Sequence, residues 1–175
     1  MQELKNLQVV YSKEQIAARI AELGAEISQV YEGQDLVVIC VLKGGFMFFA
    51  DLVRHITVKP ELDFVRLASY GNKSESSRAV SFTKDVEISL QDKHVLIVED
   101  IVDTGHSMKF LMDQLEARGA KSLRLAVLVN KTERREVAVQ SDFIGFSLPS
   151  GFIVGYGLDY AEKYRELDGI YEGSF

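Results

Sequence analysis

The apolar residues of this chain form several short continuous runs that predict β-strands. Residues 36–42 and 95–98 are uninterrupted apolar segments, typical of strands that are buried on both faces of a sheet. Further strands are predicted, in chain order, over residues 62–68, 123–130, 143–148 and 152–156. Turn-forming or polar residues bound most of these runs, so the strands are predicted to be short and separate.

A second pattern, with apolar residues three and four positions apart, predicts amphipathic helices. The first helix begins after Ser12, which forms a capping-box pattern with Gln15, and it ends at Gly33. A second helix is predicted over residues 46–55, where almost every side is apolar. A third carries Met108, Leu111, Met112 and Leu115 on one face and stops ahead of Gly119.

Strands and helices alternate through the middle of the chain, which predicts one α/β domain over residues 1–175. Its central sheet is expected to be mostly parallel, with helices on both faces, and to bind its ligand beyond the carboxyl ends of the strands. Residues 69–84 are polar and lack an apolar pattern, so they are predicted to form a long functional loop, with 86–89 as the far arm of a hairpin.

The stretch from Val95 to Ser107 carries the candidate chemistry. Its strand is followed by the adjacent acids Glu99 and Asp100, then by Asp103-Thr104-Gly105 and the start of a helix. Backbone N–H groups at a helix N-terminus form an anion site, whereas neighbouring carboxylates favour a cation or hydroxyl donors. A ligand with both a phosphate and hydroxyls or a metal would satisfy this loop. Taken singly, these residues also fit a solvated strand end and a helix-capping turn.

Composition narrows the class of protein. The 175 residues are 47% hydrophobic and 26% charged, as in ordinary globular proteins, and the net charge of −6 argues against a nucleic-acid binder. Cys40 is the one cysteine and is expected to be a buried packing thiol in a reducing compartment. Residues 1–7 contain no apolar core of signal-peptide length, and no apolar run approaches the length of a membrane span, so a cytoplasmic protein without a membrane partner is expected.

Three look-alike motifs are excluded. The residues before Asp100 resemble the first strand of a receiver domain, but that strand should open a domain, and here too little chain follows it. A Walker A loop and a Rossmann glycine fingerprint are both absent from the sequence.

The 95–107 stretch resembles the phosphoribosyl pyrophosphate (PRPP) signature of the type I phosphoribosyltransferases. Leu42-Lys43-Gly44-Gly45, Ser69-Tyr70-Gly71, Asn130-Lys131-Thr132 and the 152–160 segment resemble the 6-oxopurine branch of that family, the hypoxanthine-guanine phosphoribosyltransferases. These motifs follow one another in the expected order up to Arg165. The resemblance implies a small hood beside the sheet, a flexible lid over 69–84, and Mg²⁺-dependent transfer of phosphoribosyl from PRPP to hypoxanthine or guanine, giving IMP or GMP in purine salvage.

The resemblance also implies roles for particular residues. Asp103 is the expected general base for the purine N7 proton, and Glu99, Asp100 and Asp159 are the expected metal ligands. His106 is expected to contribute only its N–H group, since many relatives carry another residue there. The PRPP site comprises Glu99, Asp100, Ile101, Val102, Asp103, Thr104, Gly105, His106 and Ser107. Pyrophosphate is assigned to Lys43, Gly44, Ser69, Tyr70 and Arg165, and the purine to Lys131, Phe152, Ile153 and Asp159.

Two other classes of function stay open at this point. Some relatives of this fold regulate transcription, so a nucleotide- or RNA-binding regulator without catalysis is an alternative, and a metabolite-binding domain is another. The expected partners are PRPP and a 6-oxopurine, with no nucleic acid, and the family implies a dimer or tetramer. The apolar 46–49 segment could face either a partner subunit or the core, and Ser150-Gly151 leaves the preferred base open.

Overall fold

A computed structural model describes residues 4–70 and 79–174, with the side chains of Ser69, Tyr70 and Ala79 excepted. The tip of the predicted lid, residues 71–78, lies outside the described residues. In chain order the elements are β1 (Lys5–Tyr11), α1 (Lys13–Val30), β2 (Leu36–Leu42), α2 (Phe46–His55), β3 (Glu61–Tyr70), β4 (Ala79–Lys84), β5 (His94–Val102), α3 (His106–Glu116), β6 (Ser122–Lys131), β7 (Phe143–Leu148), β8 (Ile153–Val154) and β9 (Ile170–Ser174).

The main sheet has six strands in the order β4-β3-β2-β5-β6-β7. Every neighbouring pair is parallel except β3 with β4, which is antiparallel. Helices α1 and α2 cover one face and α3 covers the other, each over its own apolar cluster. The prediction of a mostly parallel sheet with helices on both faces is therefore confirmed.

Strand β2, at the centre of the main sheet, shows why its sequence is apolar throughout. Alternate residues of β2 enter opposite clusters, with Val38 and Cys40 on the α1–α2 side and Val37 and Ile39 on the α3 side. Burial and the nearby acids raise the pKa of the Cys40 thiol to about 12. Cys40 is fully buried and unpaired, which confirms its prediction as a packing thiol.

Helix α1 begins as the sequence predicts. The Ser12 hydroxyl accepts a bond from the Gln15 N–H, and the Gln15 side chain accepts one from the Ser12 N–H in return. Helix α2 spans the predicted residues, and its Phe48 and Phe49 are buried whereas Phe46 is 39% exposed. The 46–49 segment therefore packs mostly against the core.

A separate antiparallel sheet, β1-β9-β8, forms the hood. Its two longer strands come from the two ends of the described chain and pair with each other, so that Gln8 lies opposite Glu172. Strands β1 and β9 are not predicted from the sequence, because their exposed and buried positions do not follow a sustained alternation. The strand predicted over residues 152–156 is too long, since β8 covers only Ile153–Val154.

Several predicted boundaries are wrong. Strand β5 continues through Glu99 and Asp100 to Val102, because β6 pairs with it along this stretch. The polar 69–84 segment is not one loop, since its ends belong to the paired strands β3 and β4. Strand β4 is thus the far arm of the hairpin, and residues 86–89 form no strand.

Within the described part of the chain, no helix combines the length and apolar character that crossing a bilayer requires.

Candidate active site

The carboxyl ends of β2, β5 and β6 lie side by side at one edge of the main sheet. Strand β2 ends at Leu42, β5 at Val102 and β6 at Lys131, and the three strands are parallel neighbours. Their following loops begin with Lys43, Asp103 and Thr132. This edge therefore collects cationic and acidic side chains from segments far apart in the sequence.

A cavity of about 230 Å³ opens between the end of β5 and the start of α3. Its lining includes three carboxylate residues together with the first turn of the helix. It is lined by Glu99, Asp100, Ile101, Val102, Asp103, Thr104, Gly105, Ser107 and Met108. Of the predicted PRPP-site residues only His106 is missing from this lining, and its ring contacts the carboxylate of Glu136 at 2.8 Å on the surface.

The loop that enters α3 depends on a left-handed glycine. Gly105 has φ +93°, and a Cβ there would lie 2.5 Å from the Val137 carbonyl oxygen. The 132–142 connection between β6 and β7 lies against this loop, because the N–H groups of Glu136 and Val137 both donate to Thr104 O at 3.0 Å. The loop is thus held from outside while the first N–H groups of α3 have no acceptor within the helix.

Ionising both adjacent acids of the cavity is unfavourable. Burial and the neighbouring Asp100 charge raise the pKa of Glu99 well above its ordinary value. Burial also raises the pKa of Asp100, although hydrogen bonds and the charge of Arg165 oppose that shift. A cation or hydroxyl donors in the cavity would offset this cost.

Two glycines bring the β2–α2 loop and the hood against these acids. A Cβ at Gly44 would lie 1.7 Å from Asp100 Oδ2, so the absence of a side chain makes room for that carboxylate. A Cβ at Gly157 would in turn lie 2.2 Å from Gly44 O. The peptide bond between Leu42 and Lys43 is cis.

The 155–169 connection between the hood strands β8 and β9 supplies a cluster of charges next to the β2–α2 loop. Arg165 contacts the Asp159 carboxylate at 2.8 Å and donates to Gly157 O at 2.7 Å. The Glu162 carboxylate accepts from Lys43 Nζ at 2.7 Å and lies 3.4 Å from Arg165. The structure therefore gathers Lys43, Asp159 and Arg165, and it adds Glu162, which the sequence reading did not single out.

The residues predicted to read the purine lie at the neighbouring strand end. Lys131 is buried, and its ammonium donates to Gly151 O at 2.8 Å. Phe152 follows this glycine and is 39% exposed, with its ring edge-on to Tyr160. Ile153 is buried in β8, where it lies opposite Glu172 of β9.

Asp103 lines the cavity at the end of β5. One carboxylate oxygen, Oδ2, lies 3.3 Å from a guanidinium nitrogen of Arg134. The other, Oδ1, is buried and has no hydrogen-bond partner among the described residues. Such an unpaired buried acceptor marks a place where a donor is missing.

Arg135 is a further residue of this region that the sequence does not predict. Its guanidinium donates to Val102 O, Asp103 O and Lys131 O at 2.9, 2.8 and 2.8 Å. It donates further to the Asn130 side chain at 2.7 Å. Arg135 therefore ties the ends of β5 and β6 together, and only the charge in the polar 131–135 run could have drawn attention to it.

Two predicted pyrophosphate residues, Ser69 and Tyr70, are placed by their backbone alone. They end β3, where Ser69 lies opposite Val80 and Tyr70 opposite Ala79 of β4.

Within residues 4–70 and 79–174, no three acidic, histidine or cysteine side chains form a metal-binding group by themselves. Asp159 is committed to Arg165 and to the Glu162 N–H. Glu99 and Asp100 are the other two predicted metal ligands. Because Mg²⁺ is commonly held by one or two carboxylates with substrate oxygens and water, this donor set fits a metal that arrives with a phosphate ligand.

A family model, the phosphoribosyl transferase domain, matches residues 8–161. The chain therefore belongs to the phosphoribosyl transferase domain family, as its motifs predicted. Within this family, it is 45% identical over 166 residues to the hypoxanthine phosphoribosyltransferase of Escherichia coli K12, covering 94% of this chain and 93% of that protein.

Two further comparisons agree. A crystal structure of a hypoxanthine-guanine phosphoribosyltransferase from Bacillus anthracis, with HEPES in the active site, superposes with TM-score 0.90 at 41% identity and covers 99% of this chain and 100% of that one. The Listeria innocua bifunctional protein TilS/HprT is 43% identical over 162 residues, but this chain, 93% covered, spans a quarter (25%) of its length. These relatives do not favour the alternative of a regulator without catalysis.

Proposed function

We propose that the chain transfers the phosphoribosyl group of PRPP to a 6-oxopurine, hypoxanthine or guanine, in purine salvage. The purine N9 forms a bond to C1 of the ribose as the C1–oxygen bond to pyrophosphate breaks, giving IMP or GMP. The observation that carries the proposal is the cavity at the end of β5, where three carboxylates and a helix N-terminus line one space. The family membership and the named relatives support it.

The 5′-phosphate would bind at the start of α3. Thr104, Gly105 and Ser107 line the cavity, so their N–H groups and that of the intervening His106 would donate to the phosphate, and the helix dipole favours an anion there. The Thr104 and Ser107 hydroxyls add donors. Ile101 and Val102 complete the wall on the strand side.

The ribose hydroxyls and the metal share the acidic pair. Glu99 and Asp100 would accept from the 2- and 3-hydroxyls or hold Mg²⁺ through the same oxygens, which removes the repulsion between the two charges. Asp159 would be a further ligand if its carboxylate exchanged its contact with Arg165 for the metal. When bound, the metal supplies positive charge that stabilises the leaving pyrophosphate.

Pyrophosphate would be held by the Gly44 amide and by two cations, Lys43 and Arg165. Both cations contact the Glu162 carboxylate in this structure. Ser69 and Tyr70, at the end of β3, would close over the pyrophosphate as part of the β3–β4 hairpin. Closure would exclude water, which could otherwise attack an oxocarbenium-like C1.

The base would enter beside Lys131, whose ammonium would exchange Gly151 O for the purine O6. Adenine carries an amino group at that position, and this donor cannot accept a hydrogen bond from the buried ammonium. Phe152 would stack on the ring, and backbone groups of Ile153 and Asp159 would contact its other edge.

Asp103 would take the purine N7 proton as general base. Its buried Oδ1 has no partner among the described residues, so it can accept a hydrogen bond from an incoming N–H donor. Arg134, 3.3 Å from Oδ2, would orient the carboxylate.

We also propose that residues 1–175 act as one phosphoribosyltransferase domain in the cytoplasm, without a nucleic-acid or membrane partner. A homo-oligomer is supported by Phe46, Leu62 and Phe64, which are apolar side chains left exposed on α2 and β3.

The test is an assay of the purified chain with PRPP, MgCl₂ and each of hypoxanthine, guanine and xanthine. Nucleotide formation is followed by absorbance and chromatography, with adenine and a metal-free reaction as controls. We expect turnover with hypoxanthine or guanine, and loss of turnover on chelation. Failure with all three 6-oxopurines would overturn the proposed function.

A further inference from the structure

The two cations assigned to pyrophosphate already share one carboxylate of the chain itself, that of Glu162, and Arg165 also contacts Asp159 at 2.8 Å. Lys43 Nζ lies 2.7 Å from Glu162 Oε2, and the same oxygen lies 3.4 Å from a guanidinium nitrogen of Arg165. Lys43 follows β2 and Glu162 belongs to the hood, 119 positions away in the sequence. The pairing is thus a product of the fold, not of sequence proximity.

The backbone of the hood turn aims Glu162 at this position. Its φ is +66°, an uncommon value for a residue with a side chain. Its N–H donates to Asp159 Oδ2 at 2.8 Å, which fixes the turn from within. The Glu162 side chain is 64% exposed, whereas that of Arg165 is 19% exposed. The carboxylate therefore covers the cations from the solvent side and can swing away without breaking the core.

We infer that Glu162 is an internal competitor of pyrophosphate, a carboxylate that occupies Lys43 and Arg165 while the site is empty and yields them to the diphosphate of the substrate. The inference deepens the proposed function and depends on its assignment of these two cations. A carboxylate carries less charge than a diphosphate, so the ligand displaces it. Its return would favour release of the pyrophosphate product.

A competitor of this kind has a specific kinetic signature. It weakens the binding of PRPP and of pyrophosphate by a common factor, and it leaves the affinity for the purine unchanged because Lys131 and Phe152 lie outside the cluster. Exposed ion pairs are weak, so the factor is expected to be roughly two- to fivefold. Screening by salt should reduce it further.

The deciding experiment is calorimetric titration of the full chain with pyrophosphate, with and without MgCl₂, which requires no turnover. Glu162→Gln is expected to bind pyrophosphate roughly two- to fivefold more tightly than wild type and to lower KM for PRPP by a similar factor. Glu166→Gln is the matched control, since Glu166 lines a different groove, next to Asp168, and carries the same charge. It should bind pyrophosphate as wild type does.

A second variant separates contact from net charge. Glu162→Asp keeps the charge on a shorter side chain, so it should resemble Glu162→Gln if the contact with Lys43 matters. Unchanged or weaker pyrophosphate binding in Glu162→Gln would overturn the inference, as would an equal effect in Glu166→Gln. Failure of wild type to convert any 6-oxopurine would instead refute the proposed function, while the titration would still decide whether Glu162 competes with pyrophosphate.

Discussion

Replacing Arg135 by methionine removes the guanidinium that joins the ends of β5 and β6. Its four shortest hydrogen bonds, 2.7 to 2.9 Å long, go to three main-chain carbonyls and the Asn130 side chain. At about 1 kcal/mol for each bond in a half-buried setting, the variant should lose about 4 kcal/mol of unfolding free energy. Arg135→Lys, which keeps the charge but not the planar fork, should lose about half of that, roughly 2 kcal/mol.

Urea unfolding followed by circular dichroism measures this loss. The lysine variant also tests function, because a displaced Asp103 carbonyl shifts the proposed base. A misplacement of the order of 1 Å can cost about 10²-fold, so kcat should fall at least about tenfold while the chain stays folded.

Arg118→Lys is the matched control, since Arg118 makes a similar fork with Asp85 at 2.8 Å far from the active-site edge. That variant should lose no more than about 1 kcal/mol and keep its kcat. If Arg135→Lys behaved like this control, the guanidinium would not be positioning the site.

Three other variants probe separate features. Asp103→Asn should bind PRPP as wild type does in calorimetry but lose roughly 10²–10⁴-fold in kcat, and an unchanged kcat would exclude the general-base role. Lys131→Met should lower kcat/KM for hypoxanthine at least about tenfold in the base-panel assay, with little change in KM for PRPP; equal loss with both substrates would contradict a role in base reading. Burial would raise the pKa of Asp63, but N–H bonds from Ile88, Phe64 and Glu87 and the charge of Lys84 together outweigh it and hold that pKa below the ordinary 3.8. Asp63→Asn should therefore be about 2 kcal/mol less stable than wild type at pH 7, and urea titrations should show the difference shrinking as the pH falls below that value; a constant difference would contradict the shift.

The layered α/β core was predictable because its signals are local. A strand such as β2 is apolar at every position since both of its faces are covered, and the Ser12 capping box is readable from two residues. The hood was not predictable in the same way. Strands β1 and β9 are stabilised by pairing with each other across the length of the described chain, which leaves no periodic apolar pattern in either segment.

The candidate site divides along the same line. Lys43, Asp103 and Lys131 were found from the sequence because each follows a predicted strand in a recognisable motif, and β-strand order then places them at one edge. Arg135 and Glu162 contact main-chain or charged atoms that are distant in the sequence. Each is a polar residue in a loop, and no local sequence pattern predicts such contacts.

The buried thiol at position 40 makes the chain a convenient host for single-site labelling. With a pKa of about 12 and no exposed surface, Cys40 has almost no thiolate at neutral pH and should ignore maleimide reagents. It is the one cysteine in the sequence. A dye attached to one engineered surface cysteine would therefore report on a single place, and movement near the candidate active site could be followed without first removing the native cysteine.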